Sequence, residues 1–188
     1  MTNPSNGKTD KLFREALEYQ RAGDLKEAVK TYEKFLSIAP GRSGAMNNLG
    51  VCLLELGRVN EAIDILSTAA IQSQRDPELL NNLGNALQKS LRSEEALARF
   101  QEALDLHPDN VTILVNLSKN LLRAGEYEQA LLHLEKARAL APDNAEIALV
   151  DSLALPVIYK SQEEISIARG RLLSKLADFE RRQWKIVD

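Results

Sequence analysis

MNNLGVCLLELGR at residues 46–58 and LNNLGNALQKSLR at residues 80–92 are one phrase written twice, 34 residues apart. LVNLSKNLLRAGE at residues 114–126 writes it a third time, with Ser118 in the place of glycine. The same interval of 34 carries Ala28 to Ala62, Ala96 and Ala130, Tyr32 to Leu66, Phe100 and Leu134, and Pro108 to Pro142. Four registers align without a gap: 9–42, 43–76, 77–110 and 111–144. A fixed period of this length marks stacked supersecondary units, none of which can bury its apolar face alone.

Within a register, apolar residues at i, i+3, i+4 and i+7, as in Leu80, Leu83, Gly84 and Leu87, share one side of a helix. Ala16, Gly50, Gly84 and Ser118 occupy one position and are all small. A second helix must approach closely there, and Ala62 or Ala96 reads as the reciprocal small residue. Gly23, Gly57 and Gly125 mark the hairpin turns, with Leu91 in their place in the third unit. Asp109-Asn110, Asp143-Asn144 and Asp76-Pro77 supply N-cap chemistry for the helices that follow.

The order of types resembles the tetratricopeptide repeat: a bulky apolar residue, Leu-Gly, an aromatic or Leu, a turn, a fixed Ala, another large apolar and a closing Pro. Leu80, Leu83-Gly84, Leu87, Ala96, Phe100 and Pro108 carry it in the third register. Met46, Leu49-Gly50, Leu53, Ala62 and Leu66 carry it in the second, and Leu114, Leu117-Ser118, Leu121, Ala130, Leu134 and Pro142 in the fourth. The first departs with Glu15-Ala16 but keeps Tyr19, Gly23, Ala28, Tyr32 and Pro40, and Gln74 replaces the closing Pro of the second. The resemblance implies an all-α, right-handed superhelical solenoid of antiparallel helix pairs. Residues 1–8 read as a disordered tail, 145–184 as a degenerate fifth hairpin with a capping helix, and 185–188 as a tail.

Composition narrows the function. A net charge of −3 offers no general attraction for phosphate backbones, and no basic stripe carries interleaved aromatics, so nucleic acid is not an expected partner. No apolar run is long enough for a bilayer, and the polar start MTNPSNGKTD is not a signal-peptide pattern. Cys52 is the only cysteine, which points to a reducing, cytoplasmic setting. His107, His133 and Cys52 are separate in sequence and read as structural or solvent-facing, so catalysis, a metal and a cofactor are not expected.

A binding role follows from the concave surface that stacked hairpins make, lined mainly by the first helix of each unit. Asn48, Asn82 and Asn116 fall at one register position, with Asn47 and Asn81 preceding the first two. An amide both donates and accepts, so a row of them can pair with the peptide groups of an extended chain. Asn85, Gln88, Lys119 and Arg123 are neighbours on the same expected face, along with Lys89. The competing reading is that these amides solvate the face or bind adjacent helices. The five-residue carboxylate clamp of some tetratricopeptide co-chaperones is not complete here.

The asparagine ladder is similar to the tetratricopeptide arm of O-linked N-acetylglucosamine transferases. Residues 154–176, with Leu155, Pro156, Ile158, Tyr159, Glu163, Glu164, Ile165, Arg169 and Arg171, resemble the segment that follows the repeats in SPINDLY-like bacterial glycosyltransferases. Because the sequence ends at Asp188, that resemblance implies a substrate-recognition arm rather than an enzyme. Pro156 is expected to stop a short fifth A helix, Ala145 to about Ala154, and Ser161 with Glu164 to cap a long final helix. Its stripe of Ile165, Ala168, Leu172, Leu176 and Phe179 is expected to bury against the fourth repeat. Its basic side, with Trp184, Ile186 and Val187 beyond, is expected to dock a second copy of the chain or a catalytic domain.

Overall fold

The structure is a computed structural model that describes residues 4–73, 76–154 and 161–182, without the side chains of 4–7, 178, 179 and 182. Among them are ten helices, arranged as an all-α helical repeat. The chain divides into two compact units, Met1–Leu106 and His107–Asp188. The first holds α1 (Pro4–Arg21), α2 (Leu25–Ile38), α3 (Ser43–Glu55), α4 (Val59–Gln72), α5 (Pro77–Lys89) and α6 (Ser93–Leu106). The second holds α7 (Val111–Ala124), α8 (Tyr127–Leu140), α9 (Ala145–Leu153) and α10 (Gln162–Arg182).

Helix starts follow the local chemistry of the sequence. Asp76 Oδ1 accepts from the N–H groups of Glu78 and Leu79 at 3.0 and 3.2 Å, and Pro77 sits where its missing donor costs nothing. Asn110 and Asn144 each accept from a backbone N–H three residues on, both at 3.1 Å. Each hairpin turn closes with a long backbone bond back into the first helix: Asp24 to Tyr19, Arg58 to Leu53, Arg92 to Leu87 and Glu126 to Leu121, at 2.9–3.0 Å. That closure needs a left-handed residue just before the donor. Gly23, Gly57 and Gly125 supply it at φ of 76, 76 and 83°, and Leu91 adopts the same conformation at φ 64° although it has a side chain.

Helices pair in sequence order within the first unit, α1 with α2, α3 with α4 and α5 with α6. α2 then packs on α3, α4 on α5, and α3 lies beside α5. The joint between the second and third registers is apolar: Leu79 of α5 seats against Ala69 of α4 and Met46 of α3. Gln74, at that junction, lies outside the described residues. Phe13, Tyr32 and Phe35 form a local aromatic cluster in the first hairpin, with ring centroids 6.1 and 5.4 Å from Phe13. In the second unit α7 pairs with α8, α9 packs on both, and α10 packs on α9.

The close approach holds in the second and third hairpins, and a large side chain takes part in it. A Cβ placed on Gly50 would come within 2.5 Å of the Leu66 side chain, and one on Gly84 within 2.6 Å of the Phe100 ring. The second helix presses a bulky knob onto a glycine of the first. Ala62, Ala96 and Ala130 are fully buried elsewhere on that helix.

Two expectations are corrected. Helix α1 begins at Pro4, inside the stretch read as tail, since proline suits a first helical turn. The stripe of α10 does not bury whole: Ala168 is 7% exposed, but Ile165 and Leu176 are 42% and 44% exposed, because α10 packs mainly on the short α9. The side chain of Phe179 and residues 155–160 and 183–188, with Leu155, Pro156, Ile158, Tyr159, Trp184, Ile186 and Val187, lie outside the description. α9 does end at Leu153 and is shorter than its counterparts, and the N–H of Glu164 donates to Ser161 Oγ at 3.1 Å to start α10.

The glycine contacts predict opposite signs for one kind of substitution. Gly170 of α10 meets nothing within 4 Å, so Gly170→Ala should gain up to about 1 kcal/mol of helix propensity. Gly84→Ala should lose stability, since overpacking against Phe100 costs about 1–3 kcal/mol. Paired chemical melts of the two variants check this. Leu91→Gly should stabilise by about 0.5–1 kcal/mol, the relief of left-handed strain less the added freedom of the unfolded chain; a lowered thermal midpoint would contradict it.

Candidate functional site

On the first unit, the predicted residues gather on α3 and α5. Asn82 Nδ2 donates to Asn47 Oδ1 at 2.9 Å, and Lys89 Nζ donates to the Leu54 carbonyl at 3.3 Å. Both bonds span 35 residues, so they staple equivalent helices of neighbouring repeats. The ammonium also sits near the negative end of α3, where a cation is favoured. Asn48 Nδ2 donates to Tyr32 Oη at 3.2 Å, and that hydroxyl donates to Gln20 Oε1 at 2.8 Å. Burial pushes the Tyr32 phenol up to about 12, so it stays a donor.

Exposure sorts these side chains into two groups. Asn47 and Asn81 are buried, at 8% and 6%, which gives Asn47 the helix-binding role that the competing reading described. Asn48, Asn82, Asn85 and Gln88 are half-buried, and Gln88 has a buried Nε2 with no partner among the described residues. None of the nine predicted residues lines the groove of about 600 Å³ beside α4 and α6, floored by Ile63, Leu83 and Leu87.

On the second unit, Asn116 is half-buried on α7 and Arg123 is exposed. Lys119 pairs with Glu146, tying α7 to α9. Asn120 went unpredicted. It is 1% exposed, and neither of its amide atoms has a partner among the described residues. The signal was available, since steps of 34 put it in line with Cys52 and Ala86, both small and apolar.

A charged cluster was also missed. Asp151 of α9 is 7% exposed and bonds to Arg171 and Lys175 of α10, while Arg138 of α8 lies 3.6 Å away. Arg171 also donates to Tyr127 Oη and stacks 5.8 Å from that ring. Burial of Asp151 opposes its ionisation, but Lys175 and Arg171 outweigh it and hold the carboxyl below its usual range. Three cations thus close on one carboxylate.

Burial pushes the Cys52 thiol up to about 11, away from a nucleophilic thiolate. Burial and then Lys136 lower the pKa of half-buried His133, and His107 is exposed. Among the described residues no three His, Cys, Asp or Glu side chains converge as a metal site, and no helix is long and apolar enough to cross a membrane.

Two family profiles, both described as tetratricopeptide repeat, match residues 19–87 and 76–143, together about two thirds of the sequence. The chain belongs to the tetratricopeptide repeat family. No curated protein matches it. Among solved structures, this repeat protein is similar to MamA, at TM-score 0.76 and 21% identity over 89% of this chain and 96% of that one. It is similar to YrrB, described as a TPR protein with an unusual peptide-binding site, at TM-score 0.70 and 17% identity over 96% and 93%. Pseudomonas aeruginosa pilF gives TM-score 0.72 and 21% identity over 95% and 93%. At these identities the likeness is one of fold.

The Asp151 cluster makes the second unit acid-sensitive. A carboxyl whose pKa is depressed by folding adds stability above its unfolded value, about 3.9, and loses it as pH falls through the lower folded value. Asp151→Asn should therefore cost about 2–3 kcal/mol near neutral pH, at the low end for a broken buried pair because the cations are partly exposed. The gap between variant and wild type should close well below about pH 4. An equal gap at both pH values would rule out the carboxylate as its source.

Proposed function

We propose that this protein is a non-catalytic interaction scaffold that holds an extended polypeptide segment on its A-helix face. The reading rests on the half-exposed amides of Asn48, Asn82 and Asn85 on α3 and α5. Asn48 and Asn82 each commit one N–H to a bond inside the fold, which fixes the side chain. An amide retains a second N–H and lone pairs after one such bond, so it can still meet a peptide group. Pre-set donors and acceptors lose little freedom on binding. Gln88 lies beside them on α5. Asn116, Lys119 and Arg123 lie on α7 of the second unit and are considered apart from this surface.

Affinity in this arrangement comes from the ligand backbone, and side-chain preference from Lys89 beside it. YrrB, similar in fold, is described as having a peptide-binding site, which agrees in kind. A reducing, cytoplasmic setting fits the single buried thiol of Cys52.

The alternative, a recognition arm of a protein O-glycosyltransferase, rests on the asparagine ladder and on residues 154–176. In that segment Arg171 bonds Asp151 and Tyr127, and Glu164 starts α10 at Ser161. Those uses of Arg171 and Glu164 are structural, and the scaffold reading is preferred.

Replacing Asn48 and Asn85 by Ala together should weaken peptides selected on the wild-type protein by display, whatever their sequence. About 0.5–1.5 kcal/mol per amide is the expected loss by calorimetry. Helicity should be unchanged. Full affinity in a folded double variant would remove these amides from the mechanism.

A further inference from the structure

Helix α10 carries a second surface. It turns Ala168, Arg171, Leu172 and Lys175 toward the rest of its unit, and the bonds of Arg171 and Lys175 to Asp151 fix that orientation. The adjoining flank is open. Arg169, Leu173, Leu176 and Glu180 lie along it at spacings of four, three and four, the seam of a helix that pairs with another helix. Leu173 and Leu176 are 57% and 44% exposed, and Ile165, at 42%, widens the apolar stripe. Both charged residues are exposed as well.

The order along this seam is cation, Leu, Leu, anion. Read in reverse it is its own complement. In an antiparallel pair of such helices, Arg169 stands opposite Glu180 of a second copy, and Leu173 opposite Leu176. The symmetry repeats both contacts, giving a leucine centre closed at each end by an ion pair. A parallel pair would set Arg169 against Arg169 and Glu180 against Glu180. Charge therefore selects one orientation, and a self-complementary patch is what a two-fold dimer requires.

We propose that α10 is a self-association surface through which two copies of this chain form an antiparallel, two-fold dimer. The proposal is independent of the peptide-binding face, whose residues lie on α3 and α5. Sedimentation equilibrium of the full chain tests it, with circular dichroism to confirm that each variant is folded. The wild type should dimerise. Arg169→Glu and Glu180→Arg should each weaken the dimer about tenfold or more, since either places like charges at both ends of the seam. An equimolar mixture of the two variants should recover wild-type association, because each reversed side chain then faces its opposite. Leu173→Glu should abolish association. A monomeric wild type, a dimer indifferent to these changes, or two weakened variants that do not rescue each other would each overturn the proposal.

Discussion

Everything in the hairpins depends on one contact, a bulky side chain of the second helix resting on a residue without bulk in the first. Leu66 on Gly50 and Phe100 on Gly84 bring paired helices closer than any Cβ at those positions would allow. Tyr32 and Leu134 hold the same register position in the first and fourth hairpins, and all four large residues are almost fully buried. Close packing of this kind is intolerant of added volume, so it fixes how each pair is rotated. That rotation decides which side of α3 and α5 faces out.

The amides that come to that side have two uses. Across the first unit, Asn82 to Asn47 and Lys89 to Leu54 tie one repeat to the next at equal spacing. Such bonds add a modest increment each, yet they hold side chains that would otherwise move freely. In the proposed binding role this is an advantage, because the same bonds prepare the surface. The second unit uses charge instead, with Lys119 on Glu146 and the Asp151 cluster holding the short α9 and the long α10.

What the sequence made legible was local or periodic. The interval of 34 placed the helices, the turn glycines and the buried alanines, and the Asp and Asn caps followed from neighbouring residues. Partners were harder to see. Periodicity assigned Asn47 and Asn82 to one face but could not reveal that they bond each other, because that depends on how α3 and α5 lie together. That Phe100 presses on Gly84 was hidden for a related reason: several buried positions on α6 satisfy the pattern, and the crossing of the helices decides which of them meets the glycine. Asn120 and Leu91 both broke the period visibly. Asp151 did not, since the last two helices depart from the repeat and no interval links it to Arg171.

The central claim is that amides of the A helices meet the backbone of a bound chain. Backbone amide resonances together with the side-chain NH₂ resonances of asparagine and glutamine, followed by NMR while a display-selected peptide is titrated, address it directly. The account predicts that the signals of Asn48, Asn82, Asn85 and Gln88 shift together on binding, while residues of α4 and α6 stay in place. Shifts confined to the groove of Ile63, Ala98 and Arg99, with those amides unmoved, would contradict it.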